Sequence, residues 1–236
     1  MNDIVIVVTG AAPLPRPAVE AVPPGSIVLA ADGALDHALA AGLVPAALVG
    51  DLDSVSPDGL AWAEAHATVQ RHPPDKNQTD TELALATAVD LDPQRLMLIS
   101  GGGDRLDHTV AALGALGARS LTSIPEIDGW WGEQRLAVLH GPGRTRLELS
   151  PGTIISLLAM HGPCSGVSID GVRWPLHRAE LGSVVGLGVS NVATADVVDV
   201  SVNVGVLTIF ISTPDHPTPD IPTPDNPTHD EPPEAT

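Results

Sequence analysis

The segment Gly-Asp-Leu-Asp-Ser at 50–54 contains the two carboxylates best suited to bind a metal ion. Asp51 and Asp53 are two positions apart, so their side chains point to the same side if the segment is extended. Carboxylate oxygens without neighbouring histidine or cysteine suit Mg²⁺, which proteins hold through one or two carboxylates together with substrate phosphates. Asp, Ser and Gly are also common in turns, so a metal site and a simple turn are equally good interpretations of these residues alone.

A further acid, Asp32, also follows an apolar run. This run, at 27–31, reads Ile-Val-Leu-Ala-Ala, and the residues before Asp51, at 46–49, are apolar too. Ligands of open α/β sheets collect at the carboxyl ends of strands, which places Asp32 near the same site. Taken alone, Asp32 is better explained as a turn residue.

The segment Asp-Lys-Asn-Gln-Thr-Asp-Thr-Glu at 75–82 combines a helix start with the only lysine in the sequence. Thr79 and Glu82 have the spacing of a capping box, with Thr79 as the N-cap. Capping does not account for Lys76, whose ammonium group beside a helix N-terminus is suited to bind phosphate.

A glycine-rich segment at 101–108, Gly-Gly-Gly-Asp-Arg-Leu-Asp-His, lies between an apolar run and a helical pattern. Backbone N–H groups of glycines such as Gly102 can approach a phosphate closely, and Arg105 can bind a phosphate oxygen. The segment has neither the GxxxxGK[ST] nor the GxGxxG pattern, so a plain strand-to-helix turn remains the alternative.

Trp174, within Gly-Val-Arg-Trp-Pro-Leu at 171–176, offers an indole face to a cationic heteroaromatic ring. Ser190 and Asn191 could donate hydrogen bonds to such a heterocycle. A tryptophan in the core and two ordinary turn residues are the alternatives.

The elements that must position these residues follow two patterns. Residues 1–122 alternate short apolar runs with helical patterns, which predicts an α/β domain with a mainly parallel sheet. After about residue 130, short runs with period-two alternation predict an all-β, mostly antiparallel sandwich. The predicted strands lie at 4–8, 27–31, 46–49, 96–99, 136–140, 144–149, 153–159, 184–189, 197–204 and 206–211, and the predicted helices at 36–41, 57–67, 79–89 and 107–118.

We therefore divide the chain into an α/β domain at 1–125, a β-sandwich domain at 130–212 and a tail at 213–236. The tail is an imperfect Thr-Pro-Asp-x-Pro repeat with 6 acids and no Lys or Arg. Such a composition cannot form a core, so we expect it to be disordered or polyproline-like.

The charge of the chain excludes several classes of partner. The 236 residues include 29 acids and 11 bases, a formal net charge of −18. Such a surface repels the phosphates of nucleic acids and anionic membranes, so we expect neither as a partner. A phosphate ligand would then need local help, such as a metal ion.

Cysteine content and hydropathy point to the cytoplasm. A single cysteine, Cys164, permits no internal disulfide and no cysteine-based zinc site. The first residues lack the basic region of a signal peptide, and no stretch approaches the roughly 18 apolar residues of a membrane span. We expect a soluble cytoplasmic protein.

Taken together and in order, these segments resemble the thiamine pyrophosphokinase (thiamine diphosphokinase) family. No single motif is decisive, but their joint order and spacing are specific, and the resemblance covers nearly all of residues 4–212. It is carried by ADG at 31–33, GDLDS at 50–54, DKNQTDTELAL at 75–85, GGGDRLDH at 101–108, PGTIISLL at 151–158, GVRWPL at 171–176 and GVSN at 188–191.

The resemblance implies an α/β nucleotide-binding domain, a β-sandwich, and a homodimer with thiamine bound near the subunit interface. It implies transfer of pyrophosphate from ATP to thiamine, with release of AMP. By motif position, it assigns Asp51, Asp53 and Asp80 to Mg²⁺, with Asp32 close by, and it assigns Thr79, Arg105 and Asp107 to the nucleotide or its phosphates. It assigns Trp174, Ser190 and Asn191 to thiamine. From the residues themselves we add Lys76 and Gly102 to the nucleotide site, together with Asp32, and we expect Asp51, Asp53, Asp80 and Arg105 to act in catalysis.

Three departures from the family pattern stand out. Asn77 occupies a position where family members often have Asp, which removes one carboxylate, and Ala34 replaces a common glycine. The glycine-rich turn at 101–105 reads GGGDR where the family has the GGR form. Two other readings stay open: a different Mg²⁺-dependent phosphotransferase or phosphohydrolase, and a thiamine-binding module without catalysis.

The tail generates the first prediction. A protein that ends at Thr213 should retain its activity with ATP and thiamine, because the tail has no base to hold phosphate and no apolar surface to pack. Steady-state kinetics of the full-length and shortened proteins test this. A large loss of kcat on truncation would mean that the tail reaches the site.

Overall fold

The computed structural model of the chain describes residues 3–103 and 105–212. The predicted tail at 213–236 lies outside these residues. In the described part, parallel strands with intervening helices form the N-terminal half, and antiparallel strands dominate the C-terminal half. The predicted fold class, α/β followed by all-β, is confirmed.

The elements are named here in chain order. The strands are β1 (Ile4–Thr9), β2 (Ile27–Ala31), β3 (Ala47–Gly50), β4 (Thr68–Arg71), β5 (Arg95–Ser100), β6 (Glu126–Trp131), β7 (Gln134–His140), β8 (Gly143–Glu148), β9 (Ile154–Leu158), β10 (Cys164–Asp170), β11 (Leu176–Leu181), β12 (Asn191–Val192), β13 (Val197–Val202) and β14 (Val206–Ser212). The helices are α1 (Arg16–Glu20), α2 (Ala34–Ala40), α3 (Pro57–His66), α4 (Asp80–Val89) and α5 (Leu106–Ala115).

Ten strands form one sheet in the order β12-β9-β14-β7-β6-β5-β1-β2-β3-β4. The pairs from β6 to β4 are parallel, and those from β12 to β6 are antiparallel. A second sheet of four strands, β11-β10-β13-β8, lies in the C-terminal half.

β1 is the central strand of the parallel part and is buried on both faces, as its unbroken β-branched run predicts. Val5 and Val7 share a core with apolar residues of α4. Ile6 and Val8 face the other way and share a core with alanines of α1 and α2. The small alanines let the helices approach the sheet closely, which fixes where the helix ends lie relative to the strand ends.

The two sheets of the C-terminal half pack face to face. Ile155 and Ile209 of the large sheet and Ile169 and Val200 of the small sheet belong to one buried cluster. Period-two alternation along these strands directs one set of side chains into this core and the other outward.

The large sheet continues without interruption across the predicted domain boundary. β6 pairs in parallel with β5 on one side and antiparallel with β7 on the other. β6 was not among the predicted strands: it begins between the two predicted domains and ends inside the predicted sandwich domain. The division into domains at 1–125 and 130–212 stays a prediction.

The predicted strand at 184–189 is wrong. The backbone has positive φ angles at Val184 (54°) and Gly188 (97°), which an extended strand does not allow. A strand that was not predicted, β11, precedes this segment and pairs with β10. Its polar sequence, Leu-His-Arg-Ala-Glu-Leu, gives little indication of a strand.

Among the described residues, no helix has the length and apolar character needed to cross a lipid bilayer.

The β5–β6 junction generates a prediction. A Cβ atom at Gly129 would overlap the carbonyl oxygen of Leu98 in β5. Gly129→Ala should therefore lower the free energy of unfolding by about 1–3 kcal/mol or more, as overpacking does in well-packed cores. Urea denaturation of the full-length protein is the measurement.

Gly114→Ala is the matched control. Gly114 is exposed in α5, and a Cβ there would meet nothing within 4 Å. Because glycine is a poor helix former, this change should instead stabilise the protein by about 0.5–1 kcal/mol. A Gly129→Ala protein as stable as wild type would contradict the close β5–β6 pairing.

Candidate active site

Three carboxylates converge where parallel strands end. Asp32 follows β2 and Asp51 follows β3, and because these strands are parallel neighbours their carboxyl ends meet at one edge of the sheet. Asp80 is the first residue of α4, which packs across β1, β2 and β3. One oxygen from each of the three carboxylates lies within 4.8 Å of the others. We call Asp32, Asp51 and Asp80 the acid cluster.

Gly50, the last residue of β3, leaves room for the acid cluster. A Cβ atom at this position would lie 2.9 Å from Asp80 Oδ1 and 3.1 Å from the Cβ of Asp32. Its φ of +153° is also one that other residues rarely adopt. A larger residue here would push the carboxylates apart, which explains the glycine that begins the Gly-Asp-Leu-Asp-Ser motif.

Lys76 lies against two members of the acid cluster. Its Nζ atom is 2.8 Å from Asp51 Oδ2 and 3.0 Å from Asp80 Oδ1, and its side chain is 13% exposed. The ammonium group is thus held by aspartates, and its assignment to phosphate stays a prediction.

The charges shift the pKa values of this group in different directions. The hydrogen bond from Lys76 lowers the pKa of Asp51. Burial lowers the pKa of Lys76, but its hydrogen bonds and ion pairs with Asp51 and Asp80 outweigh burial, so the net pKa is raised and the ammonium form is favoured. Lys76 therefore stays charged at neutral pH.

Asp32 is the member of the cluster with which Lys76 forms no ion pair. Burial raises the pKa of Asp32; hydrogen bonds from the Gly33 backbone and Ser54 oppose this, and the negative charges of Asp80 and Asp53 add to it. Its Oδ1 atom is buried and has no hydrogen-bond partner among the described residues. A buried anionic oxygen without a partner is costly, and a bound cation would satisfy it.

The acid cluster fits Mg²⁺ by its chemistry. It offers carboxylate oxygens without sulfur or imidazole, the donor set that selects hard divalent cations. The structure brings together Asp51 and Asp80 of the sequence assignment, with Asp32 as the third ligand candidate.

Asp53 does not belong to the acid cluster. Its carboxylate is exposed and accepts a hydrogen bond of 2.8 Å from Ser54 Oγ. Between the two motif aspartates, Leu52 has a positive φ of 68° and a buried side chain. The segment is therefore not extended, so the two-residue spacing no longer implies that both carboxylates point to the same side. The motif assignment of Asp53 to the metal is therefore one of two candidate ligand sets, and the acid cluster, with Asp32 in its place, is the other.

A pocket of about 620 Å³ opens beside the acid cluster. Asp32, Lys76, Thr79 and Asp80 line it. Asp51 and Asp53 are not in its lining, although Asp51 is joined to it through Lys76. The lining also includes residues that the sequence did not assign to the site, among them Thr9, Gln78, His108 and Trp131.

Thr9 ties two walls of the pocket together. Its hydroxyl is 2.6 Å from that of Thr81, which joins the end of β1 to the first turn of α4. Thr9 follows the same rule as Asp32, since it stands at the carboxyl end of a parallel strand. Its position at a strand end was the one signal in the sequence that could have assigned Thr9 to the site, because an uncharged threonine does not by itself indicate a metal or phosphate ligand.

Thr79 begins α4 with the predicted capping box, which is confirmed. Its Oγ1 atom accepts the Glu82 N–H at 3.2 Å, and Glu82 Oε2 accepts the Thr79 N–H at 2.8 Å. The cap fixes the first turn of α4 and thereby Asp80. A contact between Thr79 and a nucleotide stays a prediction.

The glycine-rich segment lies at the end of β5. Gly102 is buried with a φ of +71°, and its N–H donates to Ser100 Oγ at 3.2 Å. Arg105 donates to both carboxylate oxygens of Asp107, at 3.1 and 2.6 Å, and both side chains are exposed. The Arg105 charge lowers the pKa of Asp107 through this hydrogen bond. None of these three residues lines the pocket.

Trp174 is an exposed platform and not a core residue. Its side chain is 54% exposed, and the Arg173 guanidinium lies 4.8 Å from its ring centroid. Asn191 holds the backbone of Trp174: its Oδ1 accepts the Trp174 N–H at 3.1 Å, and its Nδ2 donates to the Trp174 carbonyl at 2.6 Å. Asn191 is buried, so it positions Trp174.

Ser190 has a positive φ of 59°, is exposed, and donates its N–H to Ser156 Oγ at 3.0 Å. Ser190 directly precedes Asn191 in the chain. Trp174, Ser190 and Asn191 thus gather at the β12 end of the large sheet, outside the pocket with the acid cluster.

The sequence matches two family models. Residues 22–124 match "Thiamin pyrophosphokinase, catalytic domain", and residues 144–207 match "Thiamin pyrophosphokinase, vitamin B1 binding domain". The two matches together span most of the chain. The chain belongs to the thiamin pyrophosphokinase family. The acid cluster and the pocket lie mainly within the match to the catalytic domain, and Trp174, Ser190 and Asn191 lie within the match to the vitamin B1 binding domain.

Solved structures of this family have the same fold. Thiamine pyrophosphokinase from Bacillus subtilis is 22% identical with a TM-score of 0.76, covering 89% of this chain and 99% of its own. A thiamin pyrophosphokinase family protein from Enterococcus faecalis is 20% identical with a TM-score of 0.72, covering 89% and 98%. Thiamin pyrophosphokinase from Candida albicans is 16% identical with a TM-score of 0.69, covering 90% and 89%. No curated protein matches the sequence.

Proposed function

We propose that this protein transfers a pyrophosphoryl group from ATP to thiamine, giving thiamine diphosphate and AMP. The observation that carries the proposal is the acid cluster at the edge of a pocket of about 620 Å³, in a chain that belongs to the thiamin pyrophosphokinase family. In this reaction the hydroxyl oxygen of thiamine forms a bond to the β-phosphorus of ATP, and the bond between that phosphorus and the oxygen of AMP breaks.

Asp32, Asp51 and Asp80 would hold Mg²⁺. Bound there, the ion supplies charge neutralisation for the polyphosphate and aligns the transferred group. Without a cation, the negative charges of the acid cluster would repel ATP. Binding of ATP would therefore depend on a cation bound by these residues.

The chain itself contributes position more than covalent chemistry, as is usual in phosphoryl transfer. The Thr79 cap and the Thr9–Thr81 hydrogen bond hold the first turn of α4 in the pocket wall. Lys76 lines the same pocket, and Arg105 stands at the start of α5. These are the cations that we assign to the phosphates.

We assign thiamine to the platform of Trp174, Ser190 and Asn191. The thiazolium ring is cationic, and an indole face attracts cations. Arg173 already stacks near the Trp174 ring, so the thiazolium would use the opposite face, away from this like charge.

The thiamine platform and the acid cluster are far apart within one chain. β12, which contains Asn191, is the first strand of the large sheet and β2, which precedes Asp32, is the eighth, so seven spacings of about 4.8 Å, or roughly 34 Å, separate them. This exceeds the length of thiamine, which supports the proposal of a homodimer in which each site takes the platform of the partner. The homodimer and the cytoplasmic location stay predictions.

Separation of the reaction products tests the proposed function. After incubation with ATP, Mg²⁺ and thiamine, we expect AMP and thiamine diphosphate in equal amounts. ADP or free phosphate would point to another phosphotransferase or a phosphohydrolase, and thiamine binding without turnover would point to a binding module. Either result overturns the proposal.

The acid cluster generates a prediction about three matched variants. Asp32→Asn and Asp51→Asn should each fold normally and lose at least about a hundredfold in kcat/KM, about 2.7 kcal/mol of transition-state stabilisation, because each removes a charged metal ligand. Asp53→Asn, outside the cluster, should lose less than about tenfold. Formation of AMP at several Mg²⁺ concentrations and a melting curve for each variant are the measurements.

The comparison also decides between two ligand sets. If Asp53→Asn lost as much kcat/KM as Asp51→Asn and Asp32→Asn lost little, the ligand set would be the one that motif position suggests, which is Asp51, Asp53 and Asp80. Near-wild-type turnover by all three variants would contradict a metal site at this edge of the sheet.

Trp174 generates a prediction about thiamine binding. Trp174→Ala should raise KM for thiamine by about tenfold, which corresponds to ~1.4 kcal/mol, with little change in KM for ATP. Because the side chain is mostly exposed, the melting temperature without ligand should change little. A large drop in the ligand-free melting temperature with an unchanged KM for thiamine would assign Trp174 a structural role.

A further inference from the structure

Lys76 makes contacts that are explained neither by the start of α4, which follows it in the chain, nor by phosphate binding. Its ammonium group touches one oxygen each of Asp51 and Asp80, at 2.8 and 3.0 Å, and is largely buried. Both residues belong to the acid cluster, whose oxygens lie within 4.8 Å of one another. Lys76 thus occupies part of the space around the carboxylates in which a divalent cation would bind.

We propose that Lys76 is a counter-ion built into the chain, which holds the acid cluster together without a divalent cation and leaves it when the cation binds. The inference rests on the proposed function, since it takes the acid cluster as the Mg²⁺ site. It assigns Lys76 a role in metal binding that differs from direct phosphate recognition.

The need for such a counter-ion follows from the geometry. Three carboxylates this close repel one another, and desolvation makes the repulsion stronger. Lys76 offsets the charges of Asp51 and Asp80, but it does not contact Asp32, whose buried Oδ1 atom is left without a hydrogen bond among the described residues. The single ammonium of Lys76 therefore offsets only part of the negative charge when no metal is bound. The charge that remains still favours binding of a dication.

The ammonium and a dication cannot both contact Asp51 and Asp80 without repulsion. Two unit charges 4 Å apart interact appreciably even at the dielectric constant of water, and a dication doubles the effect. Binding of the cation therefore displaces Lys76, and the displacement weakens metal affinity. The side chain lines the same pocket, so the displaced ammonium meets the phosphates of a bound nucleotide as its next anionic partners.

The test measures Mn²⁺ binding without nucleotide, by the electron paramagnetic resonance signal of free Mn²⁺. If Lys76 competes with the metal, Lys76→Gln should bind Mn²⁺ more tightly than wild type, with a dissociation constant at least about fivefold lower, equivalent to about 1 kcal/mol. Without metal, Lys76→Gln should melt at a lower temperature than wild type, and Mn²⁺ should raise its melting temperature by more.

Arg71→Gln is the matched control. Arg71 ends β4 and pairs in register with Gly50, so it carries the same charge at the same edge of the sheet. It forms no ion pair with the acid cluster among the described residues. Its removal should change Mn²⁺ affinity by less than about twofold, because the charge is exposed and screened.

The outcomes separate this inference from the proposed function. Equal or weaker Mn²⁺ binding by Lys76→Gln, no detectable binding by either protein, or an equal gain in Arg71→Gln would overturn the role of Lys76. Asp80→Asn should weaken Mn²⁺ binding both in the wild-type protein and in the Lys76→Gln protein. If it had no effect in either, the acid cluster would not be the metal site, and the proposed function would lose its support.

Discussion

The structure of this site depends on the repulsion between three neighbouring carboxylates. Asp32, Asp51 and Asp80 come from three different elements, and their oxygens lie within 4.8 Å of one another. Such a cluster is stable only when the surrounding chain holds the carboxylates in place and a cation offsets their charge. Lys76 supplies that charge in part. The need that remains is what would make the cluster a site for a divalent cation in the proposed function.

The rest of the fold holds these carboxylates in position. Buried β1 anchors the parallel strands, and close packing of α4 on that sheet brings Asp80 to the strand ends. The absence of a side chain at Gly50 allows the approach, and the Thr79 capping box fixes the turn that carries Asp80. Because the whole chain has a net charge of −18, the phosphate binding that we propose would depend on a cation at this place.

Much of this architecture could be predicted from the sequence because its signals are local. Unbroken β-branched runs identify buried parallel strands, and Thr79 with Glu82 identifies a helix start. The rule that strand ends meet placed Asp32 beside Asp51. Membership of Asp53 in the cluster could not be judged in this way, because it depends on the backbone at Leu52, whose φ of 68° turns the chain out of the extended form.

Other features depended on tertiary contacts that no local pattern carries. β6 was not predicted, since its residues fall at the predicted domain boundary, yet Gly129 is needed there for the close approach of β5. The exposed valines at 184–189 read as a strand, but their backbone turns and leaves β11 to pair with β10. The two hydrogen bonds by which the Asn191 amide holds the backbone of Trp174 also have no local signal in the sequence.

Anomalous diffraction from crystals containing Mn²⁺ and a non-hydrolysable ATP analogue tests the central claim most directly. The account predicts a manganese peak in contact with carboxylate oxygens of Asp32, Asp51 and Asp80, with the Lys76 ammonium moved away from Asp51 and Asp80. A peak bound by Asp53 without Asp32, or Lys76 still paired with both aspartates beside a metal bound elsewhere, would contradict it.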